Sequence, residues 1–374
     1  MKLECTSAAL NSAVSIVSHA LAKNVNNVLE NILLRTMEEG GFELIACDGS
    51  IIMRATVDAI IREHGTVLIP GKLFSELCRK LPSGTVTMTE RLNTLGIVCP
   101  PSKFKLTCVN SDDFANVTEV YSLMDKPGLH IPQHQLKNMI SRVSFAVSQD
   151  ESRPVLTGIL MEITEDELRL VALNGFCVAL QIYHSTFVLP KDKQSISVII
   201  PGRVMNELRG ILSDESDAMC SFHIEGTRML CRLGEVTIVC GLISGQYIAY
   251  RTLLPASWLT RVTVKCAEMR QAIERAQLVA TMNSNNRIIL KMTESALVIT
   301  ANSENADTEE ELEALREGAD VEISFNARFL SDVMKNIEDE CCTICLSTPM
   351  GPCVFCPTDG DSYTYLLAAL RPKA

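Results

Sequence analysis

Four cysteines are spaced as two Cys-x2-Cys pairs, Cys342/Cys345 and Cys353/Cys356, with Cys341 just ahead of them. Four thiolates at this spacing suit a tetrahedral zinc site. The residues inside the pairs argue otherwise. Thr343-Ile344 and Val354-Phe355 are strand formers, not the turn residues a metal knuckle needs. Along a strand, residues i and i+3 point to opposite faces, so neither pair converges on one ion. The segment reads as a β-hairpin turning at Pro349-Met350-Gly351, with no metal; zinc binding through Cys342, Cys345, Cys353 and Cys356 is the alternative. The six histidines (His19, His64, His130, His134, His184, His223) form no HExxH pair. No GxSxG, GxxxxGK[ST] or GxGxxG occurs, so no catalytic set and no cofactor is expected.

The charges are more informative. Residues 301–320 carry Glu304, Asp307, Glu309, Glu310, Glu311, Glu313, Glu317 and Asp320 against one base, Arg316. That run reads either as a solvated loop or as one half of a charged interface. Lys103-Phe104-Lys105-Leu106, alternately basic and apolar, is a candidate complement. Bases also recur in helical segments: Lys72, Arg79 and Lys80; Lys137 and Arg142; Arg203 and Arg209; Arg270 and Arg275; Arg328 and Lys335, with Lys23 after the first helix. The total of 34 Lys+Arg against 45 Asp+Glu, a net −11, excludes a protein that coats nucleic acid by bulk positive charge.

The elements that hold these residues repeat along the chain. IPGKLFSELCRKL (69–81), IPGRVMNELRGIL (200–212) and FNARFLSDVMKNI (325–337) share a base at the fourth place and an acid four residues later. Their apolar residues recur every four positions, one face of a helix. FELIACDG (42–49), LRLVALNG (168–175) and ALVITAN (296–302) are strand-like and end in turn formers, aligned through Asp48, Asn174 and Asn302. Residues 6–21, 132–147 and 267–280 are helical and open each third. Each third therefore reads helix, strands, helix, strands. The expectation is an α+β chain of three tandem domains of one fold, spanning 1–127, 128–255 and 256–374. Lys126-Pro127-Gly128 and Leu254-Pro255-Ala256 supply the breaks.

Composition agrees. Hydrophobic residues are 47% and charged ones 21%, as in globular proteins. No run of ~18 apolar residues and no secretory signal is visible. The 15 cysteines are odd in number and mostly scattered, and fit a reduced, cytoplasmic protein that uses Cys as a small hydrophobe.

The stretches VLIPGKLFSELCRKLP (67–82), SRPVLTGILME (152–162), VIIPGRVMNELRGIL (198–212), LISGQYIAYRTLLP (242–255), ANSENADTEEELE (301–313), VEISFNARFLSDVMKNI (321–337) and DSYTYLLAALRP (361–372), with FELIACDG, run in order through nearly the whole chain. Together they resemble the bacterial sliding-clamp family, the β subunit of DNA polymerase III. The resemblance implies two helices and two small antiparallel sheets per domain, and a head-to-tail homodimer that closes into a ring around double-stranded DNA without reading sequence. It implies a clamp loader, a replicative polymerase and other clamp-binding proteins as partners, and no catalysis, cofactor or membrane. The bases above, Lys23 included, would face the DNA. Lys103, Phe104 and Leu106 would meet Leu278, Val279, Glu309, Glu310 and Glu311 of the second copy. A partner-peptide pocket would be lined by Leu156, Leu173, Gly175, Phe176, Val178, Ile248, Leu253, Asn326, Met350, Leu366, Leu367, Ala368, Leu370 and Arg371. The chain departs from the family there. Asn174-Gly175-Phe176-Cys177-Val178 stands for Asp-Gly-His-Arg-Leu, Ile248-Ala249 for Pro-Asp, and Ala368-Ala369-Leu370-Arg371 for Met-Pro-Met-Arg. A greasier, wider pocket follows, and a paralogue with altered partners is the second reading.

Overall fold

A computed structural model of the chain describes residues 1–22, 28–109, 114, 128–190, 193–282, 286–348 and 351–370. The first repeat runs β1 (Lys2–Thr6), α1 (Ser7–Val17), β2 (Asn31–Thr36), β3 (Phe42–Cys47), β4 (Ile51–Val57), β5 (Ile60–Glu63), β6 (Thr66–Pro70), α2 (Gly71–Arg79), β7 (Thr85–Arg91), β8 (Thr94–Cys99) and β9 (Ser102–Thr107). The second runs β10 (Leu129–Pro132), α3 (Gln133–Ser144), β11 (Gly158–Ile163), β12 (Glu167–Leu173), β13 (Cys177–His184), β14 (Ile196–Pro201), α4 (Gly202–Ile211), β15 (Met219–Glu225), β16 (Arg228–Leu233) and β17 (Val236–Gly241). The third runs β18 (Thr260–Lys265), α5 (Cys266–Ala280), β19 (Arg287–Met292), β20 (Ala296–Asn302), β21 (Asp307–Gly318), β22 (Val321–Asn326), α6 (Ala327–Lys335), β23 (Cys341–Leu346), β24 (Cys353–Pro357) and β25 (Tyr363–Leu367). Both helical trios form. Each repeat opens on a short strand before its first helix, which the sequence reading did not include.

The helices follow from their apolar stripes. In α2, Phe74 and Cys78 are buried while Lys72 and Arg79 are exposed; in α6, Leu330, Val333 and Met334 are buried while Arg328 and Lys335 are exposed. Each such buried side chain contributes roughly 1.5–3 kcal/mol of transfer free energy. Thr6 caps α1 by accepting from the Ala9 N–H, and Asn326 caps α6 by accepting from the Arg328 N–H. The Glu43 carboxylate, buried on β3, is satisfied by Arg35 at 2.6 Å and Arg54 at 2.5 Å, so its charge is not left alone in the core.

All strand pairs are antiparallel, but the small sheets expected within each repeat are largely fused. The orders are β5-β1-β7-β8-β9, then β10-β15-β16-β17-β4-β3-β2-β6, then β14-β11-β12-β13-β25-β24-β23-β18-β21-β20-β19-β22. Fusion occurs where β4 pairs with β17 and where β13 pairs with β25. The chain divides into two compact units, Met1–Leu136 with Gly210–Leu242, and Lys137–Arg209 with Ile243–Ala374. The first fusion lies within the first unit and the second within the second.

One of the two readings of the acidic run and one sequence alignment need correction. Most of the run is not a loop: Asp307–Gly318 is a twelve-residue strand, pairing with β20 in its first half and β18 in its second. The third strand trio is also shifted by one residue. Ile163 pairs with Leu168 and Met292 with Leu297, so Leu168 corresponds to Leu297, not to Ala296. Asn174 then corresponds to Ser303, whose hydroxyl bonds both the N–H and the C=O of Ala306. The first two repeats build the same corner with a carboxylate or amide oxygen. Asp48 accepts from Ser50 and Ile51, and Asn174 from Phe176 and Cys177. Gly49 and Gly175 supply the positive φ there, +94° and +89°.

Candidate functional site

Three surfaces carry the residues singled out above. The first comprises two sheet edges. β9 is terminal in its sheet, and the edge of Asp307–Glu313 away from β20 pairs with no strand among the described residues. On β9, Lys103 and Lys105 are exposed, Phe104 is 38% exposed and Leu106 is buried. On β21, Asp307, Glu309, Glu311 and Glu313 all point outward. Glu310 points the other way. Arg275 donates to both its oxygens, at 2.8 and 2.7 Å, and holds its carboxyl below the usual range. Leu278 is exposed and Val279 half-buried near the end of α5.

The second surface is the set of helix bases. Lys72, Arg79, Lys80, Arg203, Arg209, Arg328 and Lys335 are exposed. Lys72 and Arg79 line one cleft of about 760 Å³ beside Leu21, Pro70 and Leu73. Arg203 lines the second repeat's counterpart, about 410 Å³, beside Val147 and Pro201. Several of these bases are engaged within the chain. Arg142 donates to Glu338 at 2.7 Å, Arg275 to Glu310, and Arg270 to the Met334 and Ile337 carbonyls that end α6. Arg270 is thus a helix C-cap. Lys137 is half-buried. Lys23 lies outside the described residues.

The third surface is an apolar patch in the second unit. Leu156, Leu173, Val178 and Leu366 belong to one buried cluster with Tyr250 and Val354. Leu367 pairs with Cys177, one residue out of step with the Leu366–Val178 pair, so it lies on the other face of the sheet. Phe176, Ile248, Leu253 and Ala368 are exposed rim residues. Phe176 stacks on Phe329 of α6 with ring centroids 5.0 Å apart and planes at 17°. The C-terminal segment is held by backbone bonds from Ala368 to the Phe176 carbonyl, 2.8 Å, and from Leu370 to the Ser324 carbonyl, 2.7 Å. Asn326 serves as the cap of α6. Met350 and Arg371 lie outside the described residues.

The sequence reading missed what holds that rim. Tyr250–Leu253 is a 3₁₀ turn. Arg251 clasps Glu162 of β11 at 2.8 and 3.1 Å and lies 4.7 Å over the Tyr250 ring. The Tyr250 hydroxyl donates to the same carboxylate at 2.7 Å, and burial pushes its pKa up to about 12. Glu162 thereby pins the segment between Ile248 and Leu253. The aromatic run Tyr247…Tyr250 next to a base was the available signal; Glu162 and Phe329 carried none.

The cysteine hairpin forms as β23 and β24, with Cys345 and Cys356 on one face and Cys342 and Cys353 on the other. Its expected turn at Pro349-Met350 lies outside the described residues. This splitting does not favour the four-thiolate zinc site.

Three family models match the chain in order: the DNA polymerase III beta subunit N-terminal domain over residues 1–118, its central domain over 130–248 and its C-terminal domain over 251–371. Proteins described as beta sliding clamp from Staphylococcus epidermidis and Staphylococcus aureus are each 30% identical over 315 residues, 83% of this chain and 81% of theirs. The crystal structure of the DNA polymerase sliding clamp from Bacillus subtilis matches with a TM-score of 0.93 at 25% identity, over 100% of both chains. That of the DNA polymerase sliding clamp from Pseudomonas aeruginosa matches with a TM-score of 0.90 at 25% identity, again over 100% of both. Among the described residues no helix is long and apolar enough to cross a membrane.

Proposed function

Because the chain belongs to the DNA polymerase III β-subunit family and has the role of a DNA sliding clamp, we propose that two copies join head to tail in a ring around duplex DNA. The observation that carries the dimer is the repeat pattern of sheet fusion. The strand after each Asp48- or Asn174-type corner pairs with the last strand of the next repeat: Met53 with Ile238 in β4–β17, and Ala179 with Tyr365 in β13–β25. The third repeat has the corresponding strand, Asp307–Glu313, with that edge unused, and the first repeat has the last strand, β9, likewise unused. Met53 and Ala179 correspond to Thr308, and Ile238 and Tyr365 to Phe104. The same pairing between two copies then sets Phe104 opposite Thr308, Lys103 opposite Glu309 and Lys105 opposite Asp307. Both basic residues meet acids on the outward face, where opposite charges across a ladder are worth roughly 0.2–1 kcal/mol each. This register assigns Glu309 to the interface and leaves Glu310 to Arg275. A heterologous contact of this kind forms a closed ring only if its rotation closes.

The remaining proposals rest on the family. The repeats are three clamp domains, 1–127, 128–255 and 256–374. The exposed helix bases contact phosphates without reading bases. The apolar patch rimmed by Phe176, Ile248, Leu253 and Ala368 takes a short apolar peptide of the replicative polymerase, the loader and other clamp-binding proteins. The chain performs no catalysis itself and works in the cytoplasm.

Light scattering at micromolar concentration should give about twice 41.1 kDa. Lys103→Glu and Glu309→Lys should each weaken the dimer, and the double exchange should restore it. A chain that stays monomeric at high concentration overturns the ring; singles without rescue overturn the register.

A further inference from the structure

The fold sorts the sulfurs of the double Cys-x2-Cys segment into unlike pairs. Thr343 lies opposite Cys356 and Cys345 opposite Val354. Cys342 and Cys353 are buried on one face, Cys342 against Cys266 at the start of α5. Cys345 and Cys356 share the other face with their sulfurs 4.0 Å apart. Cys345 is buried and Cys356 half-buried. On the neighbouring strand, Arg261 stands directly opposite Cys345 and is exposed. Either sulfur can donate across this contact, and as a thiol Cys356 donates to the Thr343 carbonyl at 3.7 Å. Once Cys356 is ionised, a bond from the Cys345 thiol and the nearby guanidinium both favour the thiolate. They hold the Cys356 pKa below the ordinary thiol value, whereas its bond to Cys356 and burial push Cys345 up.

We propose that Cys345 and Cys356 form a reversibly oxidisable dithiol, with hydrogen peroxide as oxidant, Cys356 as the attacking sulfur and Cys345 as the resolving one. The Cys356 thiolate attacks one peroxide oxygen. An S–O bond forms as the O–O bond breaks, and the departing hydroxide takes a proton from solvent and leaves as water. Cys356 is oxidised to the sulfenic acid and the peroxide is reduced. The Cys345 sulfur then attacks Cys356; the S–S bond forms, the S–O bond breaks, and hydroxide leaves with the Cys345 proton as water. The two residues are diagonal neighbours across the ladder, ~7–8 Å apart at Cα. That exceeds the ~7 Å a disulfide spans without backbone movement, so closing the bond draws β23 and β24 together, and the strained disulfide that results is readily reduced by small thiols. Cys345 belongs to the cluster of Leu156, Leu173, Val178, Tyr250 and Leu366. Oxidation therefore disturbs the buried cluster of the peptide site, a consequence that rests on the function proposed above.

The test treats the intact protein with a small excess of hydrogen peroxide, then counts and maps thiols by alkylation after denaturation. Two of the 15 thiols should be lost, at positions 345 and 356, and recovered with dithiothreitol. Cys356→Ser should lose none. Cys345→Ala should stop at a Cys356 sulfenic acid that dimedone traps. Cys341→Ser, altering another half-buried thiol of the same strand, should behave as wild type. Loss at other positions, or an unchanged loss in Cys356→Ser, overturns the proposal. A labelled apolar peptide should bind the oxidised protein several-fold more weakly than the reduced one, with no such difference in Cys356→Ser. Thiol loss with unchanged peptide affinity overturns the coupling alone. A reduced protein that binds no peptide overturns the peptide site, while the thiol count still decides the dithiol.

Discussion

Asp332 sits half-buried on α6, and burial raises its pKa above the usual carboxylate value despite Arg328 and Lys335 nearby. A carboxyl whose folded pKa is raised favours the fold while protonated, below its unfolded pKa. That contribution is lost as pH rises through the folded value. Asp332→Asn should therefore stabilise the protein at neutral pH, by less than about 1 kcal/mol given its partial exposure. The gain should vanish below the unfolded carboxyl pKa of ~3.9. Denaturant midpoints of both proteins across pH check the sign. Phe329 and Leu370 decide the peptide site in a different way. Phe329→Ala removes the partner of an exposed aromatic ring, and should weaken a labelled peptide ending in Leu and Phe roughly tenfold, about 1.4 kcal/mol. Leu370→Asp should abolish binding by placing a charge where an apolar side chain docks. Equal titration curves for wild type and Leu370→Asp would place the partner site elsewhere.

The elements explain why these residues stand where they do. The turn carrying Ile248 and Leu253 has no strand ladder of its own, and Glu162 on β11 holds it through Tyr250 and Arg251. Glu162→Ala should cost about 1 kcal/mol of stability, the scale of a partly exposed charged hydrogen-bond set. It should weaken the peptide as well, while Glu162→Gln, which keeps acceptor and donor atoms, recovers part of both. Chemical denaturation and the same peptide titration measure the two effects. β21 shows how one element serves two sheets. In the first repeat its counterpart is split, β4 joining one sheet and β5 another, with Asp58-Ala59 between them. In the third the strand runs unbroken from Asp307 to Gly318, with acids on its outward face.

For the molecule as a whole, the net charge of −11 and the bases on helices separate affinity from retention. Phosphate contacts alone should give weak binding to free linear duplex, falling as salt rises. Once loaded, the ring should remain on closed circular DNA and leave when the circle is cut. Equal retention on linear and circular DNA would remove the topological mechanism. Removing Lys80, Arg142 and Arg203 together should impair loading more than any single change, since phosphate contacts add. Arg142 tests this most sharply, because it already holds Glu338 and would have to exchange partners to reach a phosphate.

The sequence by itself determined the elements and their repetition, because local spacing sets them: four-residue apolar periods for α2, α4 and α6, and strand formers inside the Cys-x2-Cys pairs for β23 and β24. It also carried the family resemblance and the charge complement between Lys103-Phe104-Lys105 and the acids after Asn302. Register was decided only by the tertiary structure. A ladder slip of one residue reverses every side chain, and composition alone did not separate Leu297 from Ala296 as the counterpart of Leu168. That register sets which acids face outward, leaving Glu309 exposed and turning Glu310 to Arg275. The tertiary structure likewise turned an acidic run into β21, since long-range pairing with β20 and β18 overrides the low strand propensity of Glu. It also recruited Glu162 and Phe329, whose roles depend on residues 88 and 153 positions away in the chain, Tyr250 and Phe176. No local pattern encodes such distances; only packing brings those side chains together.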